Sequence, residues 1–306
     1  MIRPNDAPSP VMQILITGAT GFLGSALALK MAQIGHAVTL LVRPQSSLYR
    51  LHPYLDLFQL CTIQTKDCIK EILNSQKPDV VIHAACSYDD GHNNMSHILA
   101  SNFCFGFEIL EGIKESTSRS RCVFINAGTG LPEFTNFYAF TKRQFSRFGQ
   151  FIAHRYPEKL QFIDLQLETF FGFEPKPTRF TSKIFHDCCA EKSNFELTSG
   201  QQQRDFIHMS DVVAAFETVL SERTRIADYE SIPVGSGESR SVRVFAETVK
   251  EISGSSTKLI FGAIPDRPFE AMQCIADCSR LLGLGWKLSA SFEERVASVI
   301  EELKTK

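Results

Sequence analysis

In the segment "NFYAFTKRQF", Tyr138 and Lys142 stand four residues apart, a spacing that stacks two side chains on one face of a helix. An unperturbed tyrosine has a pKa of about 10 and exchanges protons poorly at neutral pH. A neighbouring ammonium favours the phenolate and draws that value toward the working range, which would make the pair an acid–base device. The same spacing also arises when an aromatic ring merely packs on a lysine stem, so its weight depends on what surrounds it. Here it follows "RCVFINAGTG", an apolar run read as a strand, and in open α/β sheets ligands sit beyond the strand ends. Phe145, Phe148 and Ile152 continue the tyrosine helix as an apolar stripe and read as core or helix–helix contact.

The run "ITGATGFLGSALALKMAQIG" carries Gly18, Gly21 and Gly24 at G-x-x-G-x-x-G between a strand-like and a helix-like stretch. Gly18 suits a tight turn with positive φ. Gly21 lets a pyrophosphate approach free N–H groups at the helix start, and Gly24 permits close helix–strand packing. Thr20, Phe22 and Leu23 complete this dinucleotide turn. About 20 residues on, such sites often place an acid on the adenosine ribose; here the position is Arg43, with Ser46 and Ser47 nearby. A cation there suits a 2'-phosphate, so NADPH (NADP+) is the preferred cofactor and NAD(H) the alternative. A solvated strand-end arginine is the plain reading of Arg43. Asp67 falls near the expected adenine edge.

These residues need a scaffold. "QILITG", "AVTLLVR", "PDVVIHAA" and "RCVFINAG" are continuous apolar runs, and helical periods lie between them, as in "CIKEILNSQ" and "MSHILASNFCFGFEILEGIKE". That alternation predicts an α/β fold, a doubly wound parallel (Rossmann) sheet covered on both faces. Beyond "LQFIDLQLETFFG", prolines and short mixed elements predict a smaller C-terminal α+β lobe. The expected division is a dinucleotide-binding domain over 11–170, taking back 206–235, and a substrate-binding lobe over 171–306. The chain's 306 residues suffice for both with a real core. A net charge of −2 gives no basic surface for nucleic acid or an anionic membrane. No apolar run reaches bilayer length, and "MIRPNDAPSPVMQ" lacks a secretion-signal core. Nine scattered cysteines without a C-x-x-C read as reduced, buried thiols of a cytoplasmic protein with no metal site.

Taken together, "TGATGFLG", "VVIHAA", Asn102 in "LASNFCFGFEILEG", "YAFTK" and "LTSGQQQRDFIHMSDVVAAF" resemble the extended short-chain dehydrogenase/reductases, the NAD-dependent epimerase/dehydratase family of nucleotide-sugar enzymes. With "RPFEAMQCIADCSRLLGLGW", the chain looks most like the 4-ketoreductase branch that contains CDP-abequose and CDP-paratose synthases. The resemblance implies that Tyr138 donates the proton and Lys142 binds the nicotinamide ribose. It implies that His83, Ala84 and Ala85 border the cofactor and that Asn102 steadies the loop beneath it. Arg204, with Arg267, would hold the substrate's diphosphate; read without the resemblance, these are an ion-pair partner of Asp205 and a loop charge. The departure is at the catalytic hydroxyl. The family pattern has Ser or Thr where this chain reads Asn126-Ala127-Gly128-Thr129, which leaves Thr129 as the substitute. Dehydratases of the family carry Asp-Glu directly after their threonine, and this chain offers Gly128 and Thr129-Gly130 there.

The expected activity is NADPH-dependent reduction of a nucleotide-diphospho-4-keto-deoxysugar, which would supply an activated deoxysugar for surface polysaccharide such as lipopolysaccharide O-antigen. A 4-epimerase with tightly held NAD and a non-catalytic dinucleotide-binding sensor are the alternatives. The helices over 95–114 and 138–154 carry more apolar residues than one covered face requires, which predicts a homodimer through a four-helix contact.

Overall fold

The computed structural model describes residues 10–65, 67–88, 94–116 and 120–305. The first half alternates strictly: β1 (Gln13–Thr17), α1 (Phe22–Gln33), β2 (Ala37–Val42), β3 (Phe58–Thr62), α2 (Asp67–Gln76) and β4 (Val80–His83). It continues with α3 (Met95–Leu99), α4 (Phe105–Glu115), β5 (Cys122–Ala127), α5 (Phe137–Arg155) and β6 (Leu160–Leu167). The second half runs β7 (Thr169–Phe171), α6 (Phe180–Cys189), β8 (Asn194–Leu197), β9 (Gln203–His208), α7 (Met209–Ser221) and β10 (Tyr229–Val234). It ends with β11 (Ser239–Ser241), α8 (Val242–Ser253), β12 (Lys258–Phe261), α9 (Ser279–Gly283) and α10 (Phe292–Thr305).

Seven strands form one sheet in the order β10-β6-β5-β4-β1-β2-β3, every neighbouring pair parallel. The chain reverses its direction of travel between β1 and β4, and such a switch point opens a crevice beyond the strand ends. β3 was not among the runs read from the sequence. As an edge strand it buries little, and "FQLCT" carries no clear apolar period.

One face of the sheet packs on Leu27 and Met31 of α1 and Val212, Phe216 and Val219 of α7. The other packs on Ile109 of α4 and Phe145 of α5 against Phe124 and Phe162. Each side chain of this size, fully buried, contributes roughly 1.5–3 kcal/mol. Beyond β6 the chain leaves the sheet. β9 joins β7 and β11 in a three-stranded sheet, and β8 pairs with β12. This lobe has its own aromatic core, in which Phe171, Phe185, Phe206 and Phe292 surround Phe245. The chain then returns, laying β10 beside β6. The C-terminal part is less fragmentary than its sequence suggested, since α8 and α10 run 12 and 14 residues. Among the described residues no helix is long and apolar enough to cross a membrane, and none group as a metal-ligand cluster.

Candidate active site

The glycine turn joins β1 to α1. Gly18 has φ +66°, and a Cβ there would lie 2.5 Å from the Ala85 nitrogen; at Gly24 one would lie 2.2 Å from the Gly18 carbonyl oxygen. Both positions therefore exclude any larger residue, and the turn presses against the loop after β4. Gly21 caps α1 in extended conformation, which leaves the first N–H groups of the helix to face an anion.

Along this turn runs a cleft of about 870 Å³, within the size range of cofactor and ligand sites. Gly18, Thr20, Gly21, Phe22, Leu23 and Gly24 line it, as do Ala84 and Ala85. Arg43 and Ser46 line the same cleft, and Arg43 is exposed. The Ser46 Oγ accepts the Arg43 N–H at 3.1 Å, so the loop that presents the guanidinium is braced. Ser47 does not line the cleft, and the side chain of Asp67 lies outside the described residues.

Tyr138 and Thr129 also line the cleft, with the phenol and the threonine hydroxyl in hydrogen-bond contact. Asn136 caps α5, its side chain accepting the Ala139 N–H at 2.8 Å, and this sets where Tyr138 leaves the helix. The tyrosine ring stacks on Tyr88, centroids 4.9 Å apart. Burial holds the phenol well above its ordinary pKa, with Tyr88 and Cys86 adding to the shift, while the adjoining Thr129 hydroxyl and the Arg179 charge oppose it. This corrects the expectation that Lys142 draws the phenol toward neutrality. Lys142 is 1% exposed and lies beneath the cleft instead of lining it. Burial lowers its own pKa, opposed by Cys86 and Asp164.

Two family-derived expectations are placed differently. His83 does not border the cleft. It is fully buried among Phe105, Phe124 and Phe145, because the last residue of β4 points into the sheet's aromatic layer. Its Nδ1 lies 2.9 Å from Thr17 Oγ1, which also accepts the Ala85 N–H, so it supports the turn from below. Burial and the Lys142 charge push its pKa well below the ordinary value, so it stays neutral. Arg204 and Arg267 are not brought to the cleft lining. Arg204 is 7% exposed and donates to the Gln203 and Ala271 carbonyls and to Glu270; Arg267 is exposed on the loop before Glu270. Asn102 is placed beside the loop after β4. It sits buried in a π-helical turn over Ala100–Cys104, accepts the Ser87 N–H at 2.7 Å and donates to the Ser87 carbonyl at 3.0 Å.

The cleft also holds residues that no spacing announced. Arg50 donates to the Thr20 carbonyl at 3.3 Å and to Glu174 at 3.0 Å. Arg179, just before α6, lies over the Phe22 and Phe170 rings at 4.6 and 4.8 Å. Glu174 bridges the two arginines across 124 residues of sequence. No local period encodes such a contact, and only the docking of the lobe creates it. The nine cysteines are all unpaired; Cys122, Cys188, Cys274 and Cys278 are buried as expected, but Cys86 is exposed in the cleft.

The sequence matches the family described as "NAD dependent epimerase/dehydratase family" over residues 14–235. A CDP-abequose synthase of Salmonella muenchen is 25% identical over 294 residues, 94% of this chain and 97% of that protein. A dTDP-D-glucose 4,6-dehydratase of Mus musculus is 25% identical, covering 94% and 88%. Among solved structures, the UDP-glucose 4-epimerase of Thermotoga maritima with UDP-glucose superposes with a TM-score of 0.82 at 19% identity, covering 95% of this chain and 98% of that one. The Thermus thermophilus UDP-glucose 4-epimerase in complex with NAD gives 0.80 at 18%, over 95% and 98%. With the glycine turn, the Tyr138–Lys142 helix and this match over more than two thirds of its length, the chain belongs to the NAD dependent epimerase/dehydratase family of enzymes.

Proposed function

We propose that the protein is a reductase of a nucleotide-diphospho-4-keto-deoxysugar that uses NADPH. The observation that carries the reading is the half-buried Tyr138 phenol on the cleft wall with the Thr129 hydroxyl against it, its pKa raised by desolvation so that it stays protonated. Reduction of a carbonyl needs a proton donor at the outset, whereas an epimerase must first take a proton from a sugar hydroxyl and so needs the phenolate. Elimination of water has no support at Gly128, Thr129 and Gly130, which stand where a dehydratase has its acid pair. The residues fit a dinucleotide: the glycine cradle leaves room a Cβ would fill, and Arg43 stands at the adenosine end. A bound nicotinamide dinucleotide supplies the hydride. Tyr138 supplies the proton to the carbonyl oxygen, Thr129 steadies the charge developing there, and buried Lys142 lies below on the same helix. The CDP-abequose synthase likeness supports a sugar nucleotide as the substrate. Nine unpaired thiols support a cytoplasmic setting.

The test is oxidation of NADPH, followed by its absorbance, against CDP- and UDP-linked 4-keto-6-deoxyhexoses. Stoichiometric loss of NADPH is the expected result. Protein that is purified with NAD tightly held, and that interconverts sugar epimers without added reductant, is instead an epimerase, the reading favoured by the solved neighbours.

Arg43 carries the cofactor preference. Arg43→Asp is expected to weaken NADPH binding about 10- to 100-fold, the scale of a lost charge-assisted contact, while NADH changes far less. Equal losses for both cofactors would show that the guanidinium does not meet the 2'-phosphate.

Assembly as a homodimer is proposed through α3, α4 and α5. Phe103, Phe107, Phe148 and Phe151 form a continuous aromatic ridge over these helices. Phe151 and Met95 are 62% and 63% exposed, a patch of the kind that marks an interface. Light scattering at micromolar concentration should give twice the chain mass, and Phe151→Glu should give the monomer. A monomeric wild-type protein rules this interface out.

A further inference from the structure

Glu168 follows the last residue of β6 and lines the cleft at the Thr129 end. It is 9% exposed. Its Oε1 lies where a Cβ at Gly130 would be, only 2.2 Å from that point, so the carboxyl occupies the space this glycine leaves open, one residue from Thr129. No hydrogen bond to the carboxyl is made among the described residues, although every charged neighbour is engaged elsewhere. Arg143 of α5 donates to the Leu131 and Gly130 carbonyls. Arg204 of β9 is taken by Glu270 and two carbonyls. Asp205, behind it on β9, accepts from the Ser236, Gly237 and Ala276 N–H groups. The buried thiols of Cys274 and Cys278 feel the same carboxyl's charge, and the Cys278 thiol donates to the Gly235 carbonyl.

A buried carboxyl without a partner is costly, and one side of this one adjoins the cleft. We propose that Glu168 is a substrate-contacting residue that grips a ring hydroxyl of the sugar and so sets which sugar the cleft admits. The inference rests on the nucleotide-sugar reading of the cleft. Burial and the Asp205 charge push Glu168 up to about 7, against the pull of Arg204 and Arg143. A sugar covering its open side removes the remaining water, which disfavours the charge further. Bound, Glu168 is therefore the neutral acid, donating one hydrogen bond to the hydroxyl and accepting one from it.

Calorimetric titration of the NADP+-loaded protein with CDP-glucose and UDP-glucose at pH 7, in two buffers of different ionisation enthalpy, tests this. Wild-type protein should take up to about half a proton per site on binding, since the free carboxyl is about half ionised there. Glu168→Gln, an isostere of the neutral acid, should abolish the uptake. In reduction assays Glu168→Leu should raise KM for the sugar about 10- to 100-fold, from a hydroxyl left unpaired, and Glu168→Gln should recover most of that loss. NADPH affinity, read by fluorescence, should stay the same in both and shows that the variants are folded. Binding without proton uptake, uptake that persists in Glu168→Gln, or an unchanged KM in Glu168→Leu overturns the proposal. Wild-type protein that shows the Glu168-dependent uptake but oxidises no NADPH overturns the reductase reading alone. Failure to bind either sugar nucleotide overturns both.

Discussion

Tyr138→Phe is expected to lower kcat about 10²- to 10⁴-fold, the usual contribution of a positioned general acid. The substitution removes one oxygen and keeps the ring that stacks on Tyr88 at 4.9 Å, so the fold and NADPH affinity should persist. The loss should fall on kcat because the proton moves only in the transition state. The pH profile should follow from the raised pKa of Tyr138. A group held above its ordinary value keeps its proton to higher pH, so reduction should show no loss from Tyr138 ionisation between pH 6 and pH 9. A dinucleotide-binding sensor predicts the contrary result, in which Tyr138→Phe changes no measurable property.

Thr129→Val is the second large effect. Loss of one oxyanion donor costs about 2–4 kcal/mol in the chemical step, which is about 30- to 1000-fold in kcat. The Thr129 hydroxyl also accepts the Leu131 N–H at 3.2 Å, so valine leaves that donor unpaired as well. Thr129→Ser keeps both interactions and should retain most of the rate, which separates chemistry from loop disturbance. Ala127→Thr restores the hydroxyl at the common family position. Ala127 lines the cleft, so the new group can reach the reacting oxygen, and the variant should be neutral or faster. Full activity in Thr129→Val would assign the role to another group.

The sequence by itself determined the parts of this protein whose physics is local. The glycine spacing needs only its neighbours: a turn at positive φ, then a helix start with free N–H groups, then a close packing point. The buried strands are legible because a parallel sheet covered on both faces demands continuous apolar runs. The four-residue step from Tyr138 to Lys142 is equally local, a property of the helix alone. The edge strand at Phe58–Thr62 escaped notice because it buries too little to leave a pattern.

Only the tertiary structure decided what depends on distant elements meeting. The pKa of Tyr138 depends on what surrounds it in three dimensions: desolvation, Tyr88 and Cys86 raise it, and the Thr129 hydroxyl and Arg179 oppose them. His83 looked like a cofactor neighbour until the sheet placed it among three phenylalanines. Arg204 keeps its place in the family's motif, yet its guanidinium is claimed by Glu270, 66 residues on. Arg50, Glu174 and Arg179 come together only because the second lobe docks over the glycine turn. Glu168 reads in the chain as one residue of the short run between β6 and β7. Its lack of a partner exists only in three dimensions, because charge and desolvation depend on neighbours that the order of residues along the chain does not specify.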